Sequence, residues 1–247
     1  MVVAVFDSGL GSLSIIQSIQ KITKSEIIYF ADQKNFPYGK KTKFTLKKII
    51  KNTISKLQEV FHPDIIIMAS NTPSILFSEY LNSEVIGVLP PIKQAVKITK
   101  ADKIAILATT ATIQSKEITK YIKKQARNVQ VKKIDATELI TLVESGKFLT
   151  DEKHCAKTIR KTLAKQMNGI DVATLSSTHL PFLLPILKKE FPTVQFLDPA
   201  DDVAKKISKK FKKKSKNRLR IYTSGDPKIL QEHLQRMRIK NKVSFLP

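Results

Sequence analysis

The sequence predicts an α/β protein built from two similar doubly wound parallel-sheet domains, with the site in the cleft between them. Three observations support this fold class. Short runs rich in β-branched residues alternate with longer segments, and strands that alternate with helices form parallel sheets. The apolar residues of the longer segments recur with a helical period. Two of the predicted strands end in similar hydroxyl-rich sequences, which indicates two related half-domains.

Nine short apolar runs are the predicted strands. They cover residues 2–6, 26–30, 64–69, 84–88, 103–108, 129–134, 171–175, 193–197 and 218–222. The segments between them are predicted helices, for example 43–60 and 113–125, with apolar residues on one face and lysines on the other.

Four predicted strands end in small, acidic or hydroxyl residues. These ends are Asp7-Ser8-Gly9, Ser70-Asn71-Thr72, Thr109-Thr110 and Ser176-Ser177-Thr178. Since the carboxyl ends of strands face the ligand crevice in open α/β sheets, the four ends are the expected site.

Two of these strand ends resemble each other. Residues 66–73 and 173–181 each combine an apolar strand, a serine, a threonine and a proline near the start of a helix. The similarity predicts half-domains that face each other and contribute one serine each. The predicted domains are an outer one, residues 1–92 plus 207–247, and a middle one, residues 93–206.

Cysteine content and apolar runs limit the class of protein. The single cysteine, Cys155, excludes an intramolecular disulfide and a cysteine-based metal cluster, and we interpret it as a packing residue. We expect no metal site. No apolar run reaches the roughly 18 to 20 residues that span a membrane, and no signal peptide is apparent. The sequence therefore predicts a cytoplasmic protein without a membrane partner.

The charge is strongly positive. The 44 Lys and Arg residues outnumber the 21 Asp and Glu residues and give a net charge of +23. Nucleic acid is therefore one candidate partner for a Lys-rich surface, although dispersed lysines are also typical of a solvated surface. The densest cluster consists of Lys205, Lys206, Lys209, Lys210, Lys212, Lys213, Lys214 and Lys216.

A series of short motifs runs through nearly the whole chain. They include Val5-Phe6-Asp7-Ser8-Gly9-Leu10-Gly11, Tyr29-Phe30-Ala31-Asp32, Pro37-Tyr38-Gly39, Ser70-Asn71-Thr72, Val85-Ile86-Gly87-Val88, Ala108-Thr109-Thr110-Ala111-Thr112-Ile113, Leu142-Val143-Glu144-Ser145-Gly146 and Ser177-Thr178-His179. In these motifs the chain resembles the cofactor-independent glutamate racemases of the aspartate/glutamate racemase superfamily. The resemblance implies the fold of an isomerase family. Members of this family need neither pyridoxal phosphate nor metal, and they commonly pair into homodimers.

This chain departs from the family at the positions of the two catalytic bases. The family has Cys-Asn-Thr and Cys-Thr-His where this chain has Ser70 and Ser177. Racemisation removes a proton from one face of the α-carbon and delivers one to the other face, so two acid/base groups flank that carbon. A thiol is partly ionised at neutral pH, whereas a serine hydroxyl is not. Differences at Pro73, Ser176 and Leu180 favour natural divergence over laboratory replacement.

By resemblance, Asp7 and His179 are the remaining acid/base candidates, and Glu144 lies near that histidine. The plainer interpretations are a helix cap for Asp7, a structural histidine, and a solvent-facing Glu144. The candidate substrate-binding residues have hydroxyls, amides or turn backbone at strand ends, where capping is the alternative. They are Ser8, Pro37, Tyr38, Gly39, Asn71, Thr72, Thr110, Thr112 and Thr178.

Three functions stay open at this stage. The first is a racemase-like protein that binds a small acidic amino acid, such as glutamate or aspartate, or a related carboxylate, with racemisation lost or strongly reduced. The second is an active racemase, isomerase or lyase that uses Asp7 and His179. The third is a regulatory pseudoenzyme associated with nucleic acid.

Overall fold

The computed structural model describes residues 1–210 and 217–247. The chain forms two compact units, one of Met1–Val88 with Ala200–Pro247 and the other of Leu89–Pro199. Within the described residues, no helix is both long and apolar enough to cross a membrane. Lys212, Lys213, Lys214 and Lys216 of the lysine cluster lie outside the described residues.

The first unit contains a six-stranded parallel sheet in the order β10-β9-β2-β1-β3-β4. Its strands are β1 (Val2–Asp7), β2 (Glu26–Ala31), β3 (Ile65–Met68), β4 (Val85–Gly87), β9 (Arg218–Thr223) and β10 (Val243–Phe245). Its helices are α1 (Ser12–Ile22), α2 (Lys43–Phe61), α3 (Asn71–Leu76), α11 (Ala200–Lys210) and α12 (Pro227–Arg236).

Both faces of this sheet are buried. Ala4 and Phe6 of β1 pack in a core with Leu46 and Ile50 of α2, while Val5, on the opposite face of β1, is also fully buried. Helices α1 and α11 pack against each other. This burial explains why the central strands are continuous apolar runs, as is typical of parallel sheets.

The second unit contains a four-stranded parallel sheet in the order β6-β5-β7-β8. Its strands are β5 (Lys103–Ala108), β6 (Gln130–Asp135), β7 (Val172–Leu175) and β8 (Gln195–Leu197). Its helices are α4 (Ile92–Ile98), α5 (Thr110–Ile113), α6 (Lys116–Ala126), α7 (Thr137–Glu144), α8 (Lys147–Thr150), α9 (Glu152–Leu163) and α10 (Leu184–Glu190). One core includes residues of α4 and α6, and the other includes residues of α7, α9 and α10.

The two sheets repeat one strand order. The series β2-β1-β3-β4 in the first unit corresponds to β6-β5-β7-β8 in the second. In each series the winding direction reverses between two adjacent strands, β1 and β3 or β5 and β7. Ligands bind outside the carboxyl ends of the strands at such a reversal. The predicted fold class of two similar parallel-sheet α/β units is confirmed.

All nine predicted strands are present, with ends that differ by up to two residues. Strand β10 was not predicted from the sequence, and the predicted helix 113–125 was wrong at its start. Ile113 ends the short helix α5, and α6 begins at Lys116 because the Ser115 side chain accepts a hydrogen bond from the Ile118 N–H. The predicted boundary after residue 206 falls inside α11, which belongs wholly to the first unit.

Candidate functional site

Asp7 is the last residue of β1 and Ser8 follows it, at the reversal point of the first sheet. Asp7 is almost completely buried, and its Oδ1 accepts a hydrogen bond from the Ser8 N–H at 2.6 Å. The next helix begins at Ser12, and its N-cap position is Gly11. Asp7 is therefore not the N-cap of α1, so the plainer interpretation of this residue was wrong.

The segment that contains Pro37, Tyr38 and Gly39 is tied to the end of β1. The Tyr38 N–H donates to Ser8 Oγ at 3.4 Å, and the buried Tyr38 hydroxyl donates to Asp32 Oδ2 at 2.9 Å. Burial, together with the negative charges of Asp32 and Asp7, holds the pKa of Tyr38 well above its usual value. Tyr38 therefore stays a neutral hydrogen-bond donor at physiological pH.

Asp32 is a buried carboxylate that was not among the predicted site residues. Besides Tyr38, it accepts hydrogen bonds from the Ser224 hydroxyl at 2.7 Å and from the Asn35 side-chain amide at 2.9 and 3.0 Å. It therefore fixes the segment around Tyr38. The quoted motif Tyr29-Phe30-Ala31-Asp32 contained this residue, but its spacing gave it no role.

Ser70 and Asn71 follow β3, the strand beside β1. Ser70 is half-buried and occupies the N-cap position of α3, yet within the described residues its hydroxyl makes no capping bond. Asn71 is buried, and its side-chain amide donates to the Val88 carbonyl at 3.0 Å. Its Oδ1 has no hydrogen-bond partner among the described residues. The end of β3 thus presents a half-buried hydroxyl and an unsatisfied buried acceptor.

Ser74 holds this strand end in place and was also missed. Its hydroxyl lies 2.7 Å from the Ser70 carbonyl oxygen and 3.1 Å from that of Met68, and it accepts from the Val88 N–H at 3.1 Å. A Cβ on Gly87 would come within 2.9 Å of Ser74 Oγ, so a glycine is needed for this close approach.

In the second unit, Ser177, His179 and Glu144 form one chain of polar contacts. Ser177 Oγ lies 3.4 Å from His179 Nδ1, and His179 Nε2 is hydrogen-bonded to Glu144 Oε1. The side chains of His179 and Glu144 are only 8% and 15% exposed. A neutral His179 that donates from Nε2 to the carboxylate carries its lone pair on Nδ1, towards Ser177. Glu144 therefore does not face solvent.

The threonines of the second unit serve mainly local structure. The Thr110 hydroxyl donates to Asp135 Oδ2 at 2.5 Å, and Thr112 interacts with Thr109 at the start of α5. Burial raises the pKa of Asp135, but hydrogen bonds from Thr110 and Thr137 outweigh that effect and lower it. Thr110 thus already donates to an ionised carboxylate.

The other two candidate threonines are also buried. Thr72 lies in the first turn of α3, and Thr178 lies in the segment that follows β7. Cys155 is fully buried in the core beside α7 and α10, as expected of a packing residue. Burial raises the pKa of its thiol. In the described part of the chain, no three His, Cys, Asp or Glu residues are grouped to hold a metal ion.

The chain is similar over most of its length to curated glutamate racemases. It is 32% identical over 237 residues to the glutamate racemase of Buchnera aphidicola subsp. Schizaphis graminum, an alignment that covers 92% of each chain. The chain belongs to the glutamate racemase family. No family model matches the sequence.

Solved structures agree with this family assignment. The glutamate racemase isoform RacE1 of Bacillus anthracis superimposes with a TM-score of 0.88 at 25% identity and covers 100% of this chain and 97% of its own. The Escherichia coli glutamate racemase, solved with L-glutamate, shares the fold with a TM-score of 0.83 at 23% identity, over 99% of this chain and 97% of its own.

Within this glutamate racemase fold, the predicted site residues fall into two groups. In the first unit, hydrogen bonds connect Asp7, Ser8 and Tyr38, while Asn71 is fixed to the end of β4. In the second unit, His179 contacts both Ser177 and Glu144. Each group lies at the reversal point of its own sheet, where the strand ends were expected to form a site.

Proposed function

We propose that this protein is a glutamate racemase-like protein that binds a small acidic amino acid in the cleft between its two units. In this proposal Ser70 and Ser177 occupy the positions of the two bases, and cofactor-independent racemisation is lost or strongly reduced. Family membership supports the ligand class, because the Escherichia coli relative binds L-glutamate.

The observation that carries the ligand proposal is the unsatisfied Oδ1 of Asn71. A buried acceptor without a partner costs about 1 to 3 kcal/mol, and a ligand that donates a hydrogen bond removes this cost. The α-ammonium group of an amino acid is such a donor. Asp7, at the end of the neighbouring strand β1, supplies a buried carboxylate that favours a cationic group.

The loss of activity follows from the chemistry of the two hydroxyls. A cysteine thiol has a pKa of about 8.5, so a useful fraction ionises at neutral pH. A serine hydroxyl stays protonated and is a much weaker base towards a carbon-bound proton. The same change leaves the size of the side chain nearly unaltered, so ligand binding is expected to survive.

The test is exchange of the α-proton of L- and D-glutamate and of L- and D-aspartate in deuterated buffer, followed by NMR. For the native protein we expect calorimetry to detect binding of the amino acid and NMR to detect little α-proton exchange. The Ser70→Cys/Ser177→Cys variant should exchange the α-proton faster by a factor of at least about 100. Asn71→Leu should weaken binding by about tenfold or more. Exchange in the native protein as fast as in the double-cysteine variant would refute the loss of activity.

A second function, slow catalysis assisted by His179, is favoured by the contact chain of Ser177, His179 and Glu144. The Nδ1 lone pair lies where it can accept the Ser177 proton, and Glu144 stabilises the imidazolium that would form. Under this alternative the native protein exchanges the α-proton measurably. His179→Asn should then abolish that exchange, and Asp7→Asn should do the same if Asp7 assists the other side.

A further inference from the structure

A cationic groove lies between α4 and α6 in the second unit, apart from all the candidate site residues. It encloses a cavity of about 410 Å³. The residues that line it are Lys93, Val96, Lys97, Lys124, Gln125 and Arg127. We call this the α4–α6 groove. Four of its six lining residues are cations, and none of the six is acidic.

The positive charge of the α4–α6 groove is not neutralised by the protein. In the part of the chain that the structure describes, none of its four cations forms an ion pair, and all four side chains are exposed. On the other helical layer of the same unit, Arg160, Lys161 and Lys189 pair with Glu190, Glu138 and Glu152. Within the lining of the α4–α6 groove, by contrast, no acidic residue offsets the four cations.

The cations extend beyond the cavity along α6. Lys116, Lys120 and Lys124 are exposed and recur every four residues, which corresponds to about 6 Å along a helix axis. Like charges at this spacing destabilise an isolated helix by about 0.2 to 0.5 kcal/mol per pair, a cost that a bound anion removes. A row of this kind fits an extended polyanion better than a compact anion, which would contact the cavity alone.

We propose that the α4–α6 groove binds the phosphate backbone of a nucleic acid without reading its sequence. The aromatic residue of α6, Tyr121, is half-buried, and its hydroxyl donates to the Pro90 carbonyl at 3.1 Å, so it is not available to stack on a base. Lysine and arginine contacts to phosphates give affinity and strong salt dependence but no sequence preference. This proposal does not rest on the proposed amino-acid binding.

The experiment measures binding of a fluorescein-labelled DNA duplex of arbitrary sequence by anisotropy over a range of salt concentrations. The groove variant is Lys93→Gln/Lys97→Gln/Lys124→Gln/Arg127→Gln. The matched control, Lys153→Gln/Lys157→Gln/Lys165→Gln/Lys188→Gln, removes the same charge from exposed positions elsewhere in the second unit. Thermal unfolding establishes that both variants fold, and calorimetry with glutamate reports separately on the amino-acid site.

The groove variant is expected to lose affinity by about tenfold or more, and its slope of log K against log salt should fall by about 3 to 4. The control should change the slope by less than about 1. Equal losses in both variants would attribute binding to net charge and overturn the proposal. Tight binding of tripolyphosphate that a duplex does not displace would also overturn it, in favour of a small phosphate ligand.

Discussion

Asp32 shows how a single buried carboxylate can hold a binding segment. It accepts hydrogen bonds from Tyr38, Asn35 and Ser224, and Ser224 is 192 residues away along the chain. All three partners act as donors. A charged acceptor with several oxygen lone pairs satisfies them together, which a neutral amide at the same position cannot do.

We therefore expect Asp32→Asn to lower the free energy of unfolding by about 2 to 4 kcal/mol, because the new NH2 group faces donors. Tyr38→Phe, the matched variant, removes one donor and leaves the carboxylate intact, so its cost should be about 1 kcal/mol. Urea denaturation of the two variants measures the difference. Equal costs would show that Asp32 does not connect the three partners.

Asp171 acts at the level of elements, since it joins the end of α4 to the start of β7. It accepts hydrogen bonds from the Thr99 hydroxyl at 2.6 Å and from the backbone N–H groups of Lys100 and Ala101 at 2.6 and 3.2 Å. Burial raises the pKa of Asp171, but these hydrogen bonds outweigh burial and lower it. A carboxylate with a lowered pKa in the folded state stabilises that state when it is ionised.

The sign of this effect gives a pH dependence. The stabilisation by Asp171 is fully present above the unfolded-state pKa and is lost as pH falls through the lower folded-state pKa. Asp171→Asn should therefore cost about 1 to 2 kcal/mol at neutral pH, and this difference should shrink in acid. Urea unfolding as a function of pH measures it, with Glu59→Gln at an exposed position as the control. A cost that does not change with pH would contradict the assignment.

Helices and strands were predictable wherever the residues within the element themselves indicate its type. Most of the predicted strands contain at least two β-branched residues, whereas β10 (Val243–Phe245) contains only one, Val243, beside the polar Ser244. The break at Ser115 was missed because Ile113 was counted with the apolar residues of α6, whereas the Ser115 side chain caps the start of α6 at Lys116. Asp32 and Ser74 could not be assigned either, because their partners come from distant segments or from backbone atoms.

For the whole molecule, the repeated strand order explains why two similar serine-containing strand ends occur. The winding reverses once in each four-strand series, and Ser70 and Ser177 both follow the third strand of the shared series, β3 or β7. The similarity of residues 66–73 and 173–181 was therefore a sign of repeated architecture. Family resemblance, not spacing, identified Glu144 as a neighbour of His179, since the two residues come from different elements.

The net charge of +23 is a property of the whole chain and should limit its stability. Like charges repel in the compact state, and salt screens this repulsion over a Debye length of about 8 to 10 Å at physiological ionic strength. Salt also weakens exposed ion pairs such as Lys189–Glu152, but each contributes at most about 1 kcal/mol. Screening of the repulsion should therefore dominate.

Raising sodium chloride from about 0.01 to 0.15 M should accordingly raise the thermal midpoint by about 2 to 4 °C, equivalent to roughly 1 kcal/mol. Calorimetric melts of the native protein and of the two four-site glutamine variants make the comparison. Both variants carry less charge, so both should start from a higher midpoint at low salt and gain less from added salt. A midpoint that falls with salt would mean that the ion pairs, and not the excess lysines, dominate the electrostatic free energy of folding.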